Sequence, residues 1–205
     1  MIRAGTDSWG MQLASPTITV FDLEYTAWEC SMARHWLMPG EFKEVVQIGA
    51  VKLDADSFMV QGEFEVLVRP RINSVLSPYF EKLTGITSDT LARQGVDFAV
   101  AYARFLDFAG EDPIAAFGHD ERVLESNVRL YGMTGVRPLP LFYDLRGWFA
   151  AQGIDPRGML SCDLAPALGL AFVGQTHNAL HDARSIAGTM AVMASRGQRI
   201  VRPAA

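Results

Sequence analysis

The sequence predicts an α/β fold with a mixed central sheet of about five strands and helices on both faces. Three observations support this fold class. Residues 17–23 form a β-branched, apolar run that is typical of a buried strand. Residues 44–53 and 58–69 have strand patterns and flank a turn-forming Asp-Ala-Asp-Ser segment, which predicts an antiparallel hairpin. From residue 112 onward, short apolar segments alternate with helical ones, as parallel strands joined by helices do.

Helical patterns follow the hairpin at 79–84, 88–93 and 97–109, with Ser88 and Asp97 as predicted N-caps. A strand at 114–117, a helix at 119–131 and a strand at 139–143 come next, and helices at 144–152, 161–168 and 178–195 complete the domain. We expect residues 1–15 to be a flexible lead-in, residues 16–195 to be the domain and residues 196–205 to be a tail. This order of elements best fits the ribonuclease H-like architecture.

Composition narrows the class of protein. The 205 residues suit one domain, and an apolar fraction of 49% with 20% charged residues is ordinary for a globular chain. A formal net charge of −5 argues against nucleic-acid binding through overall basicity. Cys30 and Cys162 form no paired motif, so we expect a reduced, cytoplasmic protein. The sequence shows no signal peptide and no apolar run of about 18 residues, so no contact with a membrane is predicted.

The first predicted strand ends in two carboxylates. Side chains alternate along a strand, so Asp22 and Glu24 lie on the same face as Ile18 and Val20. Two acids so close together repel each other and are costly to bury unpaired. Because hard divalent cations take carboxylate oxygens as ligands, this pair predicts a metal site.

Two further acids are candidates for the same site. Asp120 lies in the first turn of its predicted helix, on the side of Val123 and Leu124, although acids near helix N-termini are common without any function. Asp182 borders the apolar stripe of the last helix, so it needs a partner or an ion. His177 lies in the approach to that helix.

The histidines of this segment allow a second interpretation. His177 and His181 are four residues apart, a spacing that can bind zinc. The residue after His177 is Asn178, where the HExxH motif of metalloproteases has glutamate, so metalloprotease chemistry is disfavoured. A zinc site remains an alternative to a role of His177 beside the acids.

In order and spacing, these motifs resemble the DEDDh family of 3′→5′ exonucleases. The motifs are FDLEYT at residues 21–26, GHD at residues 118–120, and His177 five residues before Asp182. The resemblance covers residues 17–195, and the segment LTGIT at residues 83–87 strengthens it. Trp28, Glu29 and the segment 44–52 look most like the Eri-1 and KapD-type branch, which is largely RNA-directed.

The resemblance implies a two-metal phosphodiesterase mechanism. Asp22, Glu24, Asp120 and Asp182 match the acids that hold two divalent cations, Mg²⁺ or Mn²⁺, and His177 matches the base that takes a proton from water. Histidine has an unperturbed pKa of about 6.5, which suits a base working near neutrality. The implied substrate is the 3′ end of single-stranded RNA or DNA, with RNA favoured, and the implied product is a 5′-mononucleotide.

This chain departs from the family pattern around the third acid. It lacks the Asn that many members have before that aspartate, so a contact to the substrate strand is lost or replaced. Glu121 adjoins Asp120 and is a competing candidate. Asp120 is favoured because it leads into Val123 and Leu124 at helical spacing.

Substrate contacts are predicted on both sides of the acids. Tyr25 and Thr26 directly follow Glu24, where they could hold the terminal sugar. By resemblance, Leu83 and Ile86 contact the last bases. Trp28 is predicted either to stack on a base or to pack within the loop 25–43.

Three other functions are compatible with the same residues. One is a catalytically silent nucleic-acid-binding module, and another is a metal-dependent phosphodiesterase that acts on small nucleotides. The third is a structural core in which arginines, Arg184 being the nearest, neutralise the acids. Met190 and Met193 in the last helix either belong to the core or form the surface of a homodimer.

Overall fold

The computed structural model describes residues 15–197, and the predictions for residues 1–14 and 198–205 lie outside this range. Five strands form one sheet: β1 (Thr17–Tyr25), β2 (Val45–Asp54), β3 (Val60–Leu67), β4 (Ile114–Ala116) and β5 (Phe142–Asp144). Their order across the sheet is β3-β2-β1-β4-β5. The first three strands are antiparallel neighbours, whereas β4 and β5 run parallel to β1. The predicted mixed sheet is confirmed.

Within residues 15–197, seven α-helices accompany the sheet: α1 (Pro78–Thr84), α2 (Ser88–Gln94), α3 (Phe98–Ala109), α4 (Asp120–Leu130), α5 (Leu145–Ala151), α6 (Leu164–Ala167) and α7 (Ala179–Ser195). A 3₁₀ turn at Ser161–Asp163 precedes α6, so the predicted helix at 161–168 is two short pieces. β5 begins later than predicted, because Pro140 has no N–H to donate to a neighbouring strand.

Of the two predicted helix caps, Asp97 is confirmed as the N-cap residue of α3, and Ser88 is wrong. Thr87, not Ser88, caps α2 and accepts the N–H of Thr90 at 3.1 Å. The side chain of Asp97 stands at the N-cap of α3 without a capping hydrogen bond and pairs with Arg71 instead. Local sequence predicts the position of a helix cap to within one residue. Which side chain makes the capping hydrogen bond depends on its contacts in the folded protein.

Because successive side chains of β1 point to opposite faces, the strand contributes to a hydrophobic core on each side of the sheet. Ile18 and Val20 pack with residues of α5 and α7, whereas Phe21 and Leu23 pack with residues of α3 and α4. Helices therefore cover both faces, as predicted. Met190 and Met193 are 0% and 2% exposed, so they belong to the core and not to a dimer surface.

The start of α7 lies directly on β2. A Cβ atom at Gly49 would lie 2.1 Å from the backbone nitrogen of Leu180, so only glycine allows this approach. Gly49 is paired with Asp22 across β1 and β2. The contact therefore fixes the first turn of α7 over the strand that carries the predicted acids. Between residues 15 and 197, the structure has no helix that is both long and apolar enough to cross a bilayer.

Candidate active site

A cleft of about 730 Å³ lies at the edge of the sheet where the parallel strands β1 and β4 end. The loop after β1, the helix α1 and the segment 156–162 supply its walls. The cleft contains all five residues predicted to carry the chemistry: Asp22, Glu24, Asp120, His177 and Asp182. The fold thus brings together side chains from three distant parts of the sequence.

β1 presents the first two acids from the centre of the sheet. Asp22 and Glu24 lie on the face of the strand that also carries Ile18 and Val20. The pairing of β1 with β2 shifts by one residue between Glu24 and Tyr25. Such an irregularity bends a strand away from its partner, and here it marks the point where the cleft opens.

The first turn of α7 brings Asp182 to this pair. Asn178 caps the helix, because its Oδ1 accepts the N–H of His181 at 3.1 Å. Gln47 on β2 holds the same end, since its Oε1 accepts the N–H of Ala179 at 2.9 Å. Asp182 is consequently fixed with only 3% of its surface exposed.

Three of the carboxylates form a group with the spacing of a metal site. One oxygen each from Asp22, Glu24 and Asp182 lies within 4.8 Å of the others. Among residues 15–197, none of the three forms an ion pair with an arginine or lysine, and Oδ1 of Asp182 has no hydrogen-bond partner. Arg184 instead binds Glu63 through hydrogen bonds of 2.8 and 2.6 Å. The interpretation in which Arg184 neutralises the acids is wrong.

Burial and mutual repulsion raise the pKa of every acid in the cleft. Burial is the largest cause for Asp22, and the charges of Asp120, Glu24 and Asp182 add to it. Burial also raises the pKa of Glu24, and it raises the pKa of Asp120 and of Asp182 to about 7. A cation beside these groups would favour their ionised form. These carboxylates, which have no arginine or lysine partner, therefore fit Mg²⁺ or Mn²⁺, which prefer carboxylate ligands.

The geometry favours Asp120 over Glu121 as the fourth acid. Asp120 lines the cleft, and its charge raises the pKa of Asp22. Glu121 does not line the cleft, and its Oε1 lies 3.3 Å from Nδ1 of His119. Asp120 stands outside the group of three ligand oxygens, so its position differs from that of the other acids.

His177 lies half-buried in the cleft with a left-handed backbone, at φ 58°. Non-glycine residues rarely adopt this conformation, which is found preferentially at functional sites. The neighbouring loop is held by His181, whose Nδ1 accepts the N–H of Gln175 at 2.9 Å. Burial lowers the pKa of His177, so the imidazole is neutral at pH 7.

The structure does not support the zinc alternative. His181 is occupied by Gln175 and does not line the cleft. In the part of the chain that the structure describes, neither His177 nor His181 belongs to the group of candidate metal ligands.

Three of the predicted substrate contacts line the cleft: Tyr25, Trp28 and Leu83. The ring of Tyr25 packs against Trp36 with 5.5 Å between centroids. The ammonium group of Lys43 lies 4.1 Å from the centroid of Trp36 and 5.3 Å from that of Tyr25. Burial raises the pKa of Tyr25, which keeps its hydroxyl protonated as a hydrogen-bond donor. This wall is therefore apolar, with one polar donor beside the acids.

Thr26 and Ile86, the other two predicted substrate contacts, do not line the cleft. Thr26 is 2% exposed, and its hydroxyl donates to the carbonyl of Phe42 and accepts the N–H of Glu44. It therefore ties the end of β1 to the approach to β2. Ile86 is 7% exposed, does not line the cleft, and packs behind the cleft residue Phe80 in a small cluster with Val46, Leu76 and Leu91. A place in a motif does not reveal which way a side chain points.

Sequence reasoning missed three polar residues at the site. Arg146 lines the cleft from the first turn of α5, and the hydroxyl of Ser161 hydrogen-bonds the carboxylate of Asp22. The charges of Lys43 and Arg146 oppose the rise in the pKa of Asp120. Arg146 could have been predicted, because it follows the carboxyl end of a strand that neighbours β4. Lys43 and Ser161 lie outside the strands and α-helices, where no such signal exists.

Comparison with known proteins agrees with this geometry. The family model for exonucleases, RNase T, matches residues 19–190. A search of curated protein sequences gives no match. The nuclease domain of 3′hExo, a DEDDh family member bound to rAMP, has a TM-score of 0.76 and 21% identity, over 97% of this chain and 99% of that one.

Two other solved structures illustrate the range of similar proteins. A 3′-exonuclease that recognises the 3′ end of a histone mRNA stem-loop has a TM-score of 0.74 and 21% identity, over 95% of this chain and 86% of that one. E. coli exonuclease I in complex with a dA16 oligonucleotide has a TM-score of 0.64 and 17% identity, over 89% of this chain and 41% of that one. Because the family model spans most of the chain, the protein belongs to the RNase T exonuclease family of hydrolytic nucleases, and its fold is ribonuclease H-like.

Proposed function

We propose that this protein removes nucleotides one at a time from the 3′ end of single-stranded nucleic acid, prefers RNA to DNA, and releases 5′-mononucleotides. One observation carries the proposal. Asp22, Glu24 and Asp182 place carboxylate oxygens within 4.8 Å of one another, in a cleft that also contains Asp120 and His177.

The acids fit two divalent cations, Mg²⁺ or Mn²⁺. Asp22, Glu24 and Asp182 would bind them directly, and Asp120 would act mainly through water. When bound, such cations lower the pKa of water and stabilise negative charge on a scissile phosphate. The contribution of the protein is to hold the carboxylates together without a lysine or arginine counter-ion. This is achieved by β1, by the cap of α7 and by the contact at Gly49.

His177 supplies the proton acceptor. Because burial keeps the imidazole neutral at pH 7, a ring nitrogen can take a proton from the attacking water. His177 directly precedes the N-cap of α7 and lies in the same cleft as the acids. Each proton taken would be returned to solvent through the exposed part of the ring before the next cleavage.

The walls of the cleft suit unpaired bases. Trp28, Tyr79 and Leu83 line it, and aromatic rings stack on bases regardless of their sequence. The preference for RNA draws support from 3′hExo with rAMP and from the exonuclease that recognises a histone mRNA. The complex of exonuclease I with DNA shows why DNA must be tested beside RNA.

The test is digestion of a 5′-labelled single-stranded RNA and of its DNA equivalent, with Mg²⁺, Mn²⁺ or EDTA. An Asp22→Ala variant serves as the control for contaminating nucleases. We expect a metal-dependent ladder that shrinks from the 3′ end, that is faster on RNA, and that the variant does not produce.

Other outcomes would replace the proposal. Oligonucleotides that bind but stay intact under every condition would indicate a silent binding module. Cleavage of a chromogenic phosphodiester without cleavage of oligonucleotides would indicate a phosphodiesterase of small nucleotides. The cytoplasmic location and the oligomeric state stay predictions that localisation and sedimentation experiments would test.

A further inference from the structure

The cleft concentrates negative charge where a polyanion must bind. Four carboxylates converge there, and two divalent cations would offset only those four charges. Each phosphodiester of a bound strand adds a further negative charge that needs a partner. Among the lining residues that the structure describes, the guanidinium groups are those of Arg146 and Arg157.

The two arginines differ in how firmly they are placed. The side chain of Arg157 is 88% exposed and forms a salt bridge with Asp155 at the outer edge of the cleft. The side chain of Arg146 is 39% exposed and stands on the first turn of α5, at the carboxyl end of β5. The cleft residue Gly118 lies beside it, because a Cβ there would be 4.0 Å from Cζ of Arg146. Arg146 is thus the fixed cation of the inner cleft.

Asp144 orients this guanidinium and leaves part of it free. Nε of Arg146 lies 3.1 Å from both carboxylate oxygens of Asp144, and Nη2 lies 2.8 Å from Oδ2. Nη1 makes no hydrogen bond to any residue between 15 and 197. A guanidinium carries five N–H donors, so about three remain unused after the Nε and Nη2 contacts. Donors that are oriented in advance bind an anion without losing side-chain entropy on binding.

We propose that Arg146 binds a phosphate of the substrate strand through its free Nη edge, while Asp144 holds the side chain in place. This inference rests on the proposed function, because it assigns a contact to the same substrate. Arg146 is a substrate-binding residue here. Its second effect is electrostatic, since its charge opposes the rise in the pKa of Asp120.

The chain contains a matched control pair. Arg184 binds Glu63 in the same two-bond manner, and its side chain is 42% exposed. This pair joins α7 to β3 outside the cleft. Replacing either arginine by glutamine removes one charge and one ion pair of similar exposure, so only the position of the pair differs.

The experiment compares Arg146→Gln with Arg184→Gln in steady-state cleavage of single-stranded oligonucleotides at several salt concentrations. We expect Arg146→Gln to lower kcat/KM by about 10- to 100-fold, as loss of a charged hydrogen-bonding partner does. The slope of log(kcat/KM) against log[salt] should become shallower by about 0.7, the value for one phosphate contact on a single strand. Arg184→Gln should keep both the wild-type activity and the wild-type slope.

A double variant separates substrate binding from simple pairing with Asp144. If Arg146 served only to neutralise Asp144, then Asp144→Asn together with Arg146→Gln would restore activity. The proposal requires the double variant to stay impaired. Restored activity, or equal kcat/KM and equal salt slopes for Arg146→Gln and Arg184→Gln, would overturn it.

Two further arms keep the result interpretable. Should Arg146→Gln fail to fold, Arg146→Lys replaces it. The lysine variant should keep the wild-type salt slope, because the positive charge remains. Its kcat/KM should be lower, because an ammonium group lacks the planar, two-pronged donor geometry of guanidinium. Cleavage by the wild type tests the proposed function separately. If the wild type cleaves nothing, fluorescence anisotropy of a labelled oligonucleotide still compares the two glutamine variants, and equal affinities would refute the Arg146 contact.

Discussion

Glu44 and Glu24 are both buried glutamates near the ends of neighbouring strands, yet their surroundings are opposite. Glu44 is 0% exposed, and its carboxylate accepts hydrogen bonds from the backbone of residues 71, 72 and 73 and from the hydroxyl of Tyr131. Glu24 is 8% exposed, and its carboxylate has neither a hydrogen bond nor an ion pair with any described residue. Both glutamates are buried, and what differs is whether the carboxylate has hydrogen-bond partners.

The difference shows how to recognise a functional acid. A buried carboxylate that accepts several donors is a structural element, because its charge is already stabilised. A buried carboxylate without donors destabilises the fold unless something else binds it. Glu24 is in this condition and lies in the cleft of an exonuclease-family domain, beside Asp182, whose Oδ1 has no hydrogen-bond partner. Burying the Glu24 carboxylate without donors therefore lowers the stability of the fold, as is common at functional sites.

Isosteric substitution of the two glutamates should produce opposite effects, and the largest one is on activity. Glu24→Gln should lower kcat by about a thousandfold or more, because a ligand to the cations is lost. Glu44→Gln should leave kcat close to that of the wild type and lower the free energy of unfolding by about 1–3 kcal/mol, because an acceptor of backbone donors becomes in part a donor. Steady-state kinetics and urea denaturation of both variants measure this, and a Glu44→Gln variant with the activity of Glu24→Gln would contradict the distinction.

Substitution of His177 should impair proton transfer without affecting metal binding. His177→Gln should lower kcat by about 10²- to 10⁴-fold, the range for loss of a general base. Mn²⁺ affinity should stay at the wild-type value, because His177 does not belong to the ligand group. Kinetics and a metal titration of the same preparation test both parts. Loss of Mn²⁺ binding would show that the histidine is a ligand.

A smaller effect is expected on the stability of the metal-free protein. The pKa of Asp182 is raised from 3.8 to about 7, so between these values the folded state binds more protons than the unfolded state. The contribution of Asp182 to the free energy of unfolding therefore falls as pH rises from about 4 to about 7, and stays low above that. Urea denaturation in EDTA at pH 5 and pH 8 measures the fall.

Asp182→Asn isolates this contribution from the other titrating groups. The variant should lose less stability than the wild type between pH 5 and pH 8, and should be the more stable protein at pH 8 in EDTA. Mg²⁺ or Mn²⁺ should stabilise the wild type and not the variant, because ligands that bind only the folded state shift the unfolding equilibrium. An identical pH dependence of the two proteins would refute the raised pKa.

Much of the fold follows from the sequence because local patterns and layer packing agree. Alternation along residues 17–23 predicts which side chains of β1 face α7, and the Asp54–Ser57 turn predicts the hairpin. The cap of α7 at Asn178 is also visible in the sequence. These features depend on the period of a strand, on turn chemistry and on capping, all of which act within a few residues.

The remainder depends on contacts that no local pattern encodes. Thr26 and Ile86 lie within recognisable motifs, yet their side chains turn into the structure. Gly49 looks like an ordinary strand glycine until the backbone of α7 is found against it. Arg146 acquires a position in the cleft only because β5 pairs with β4. The identities of the acids could be predicted, and the residues that hold them together could not.

The most direct test of the central claim is a calorimetric titration of the metal-free protein with Mn²⁺. We expect the wild type and Glu44→Gln to bind Mn²⁺ with similar affinity, and Glu24→Gln to bind it far more weakly or with a lower stoichiometry. Absence of binding by the wild type, or wild-type binding by Glu24→Gln, would show that the clustered carboxylates do not form the metal site.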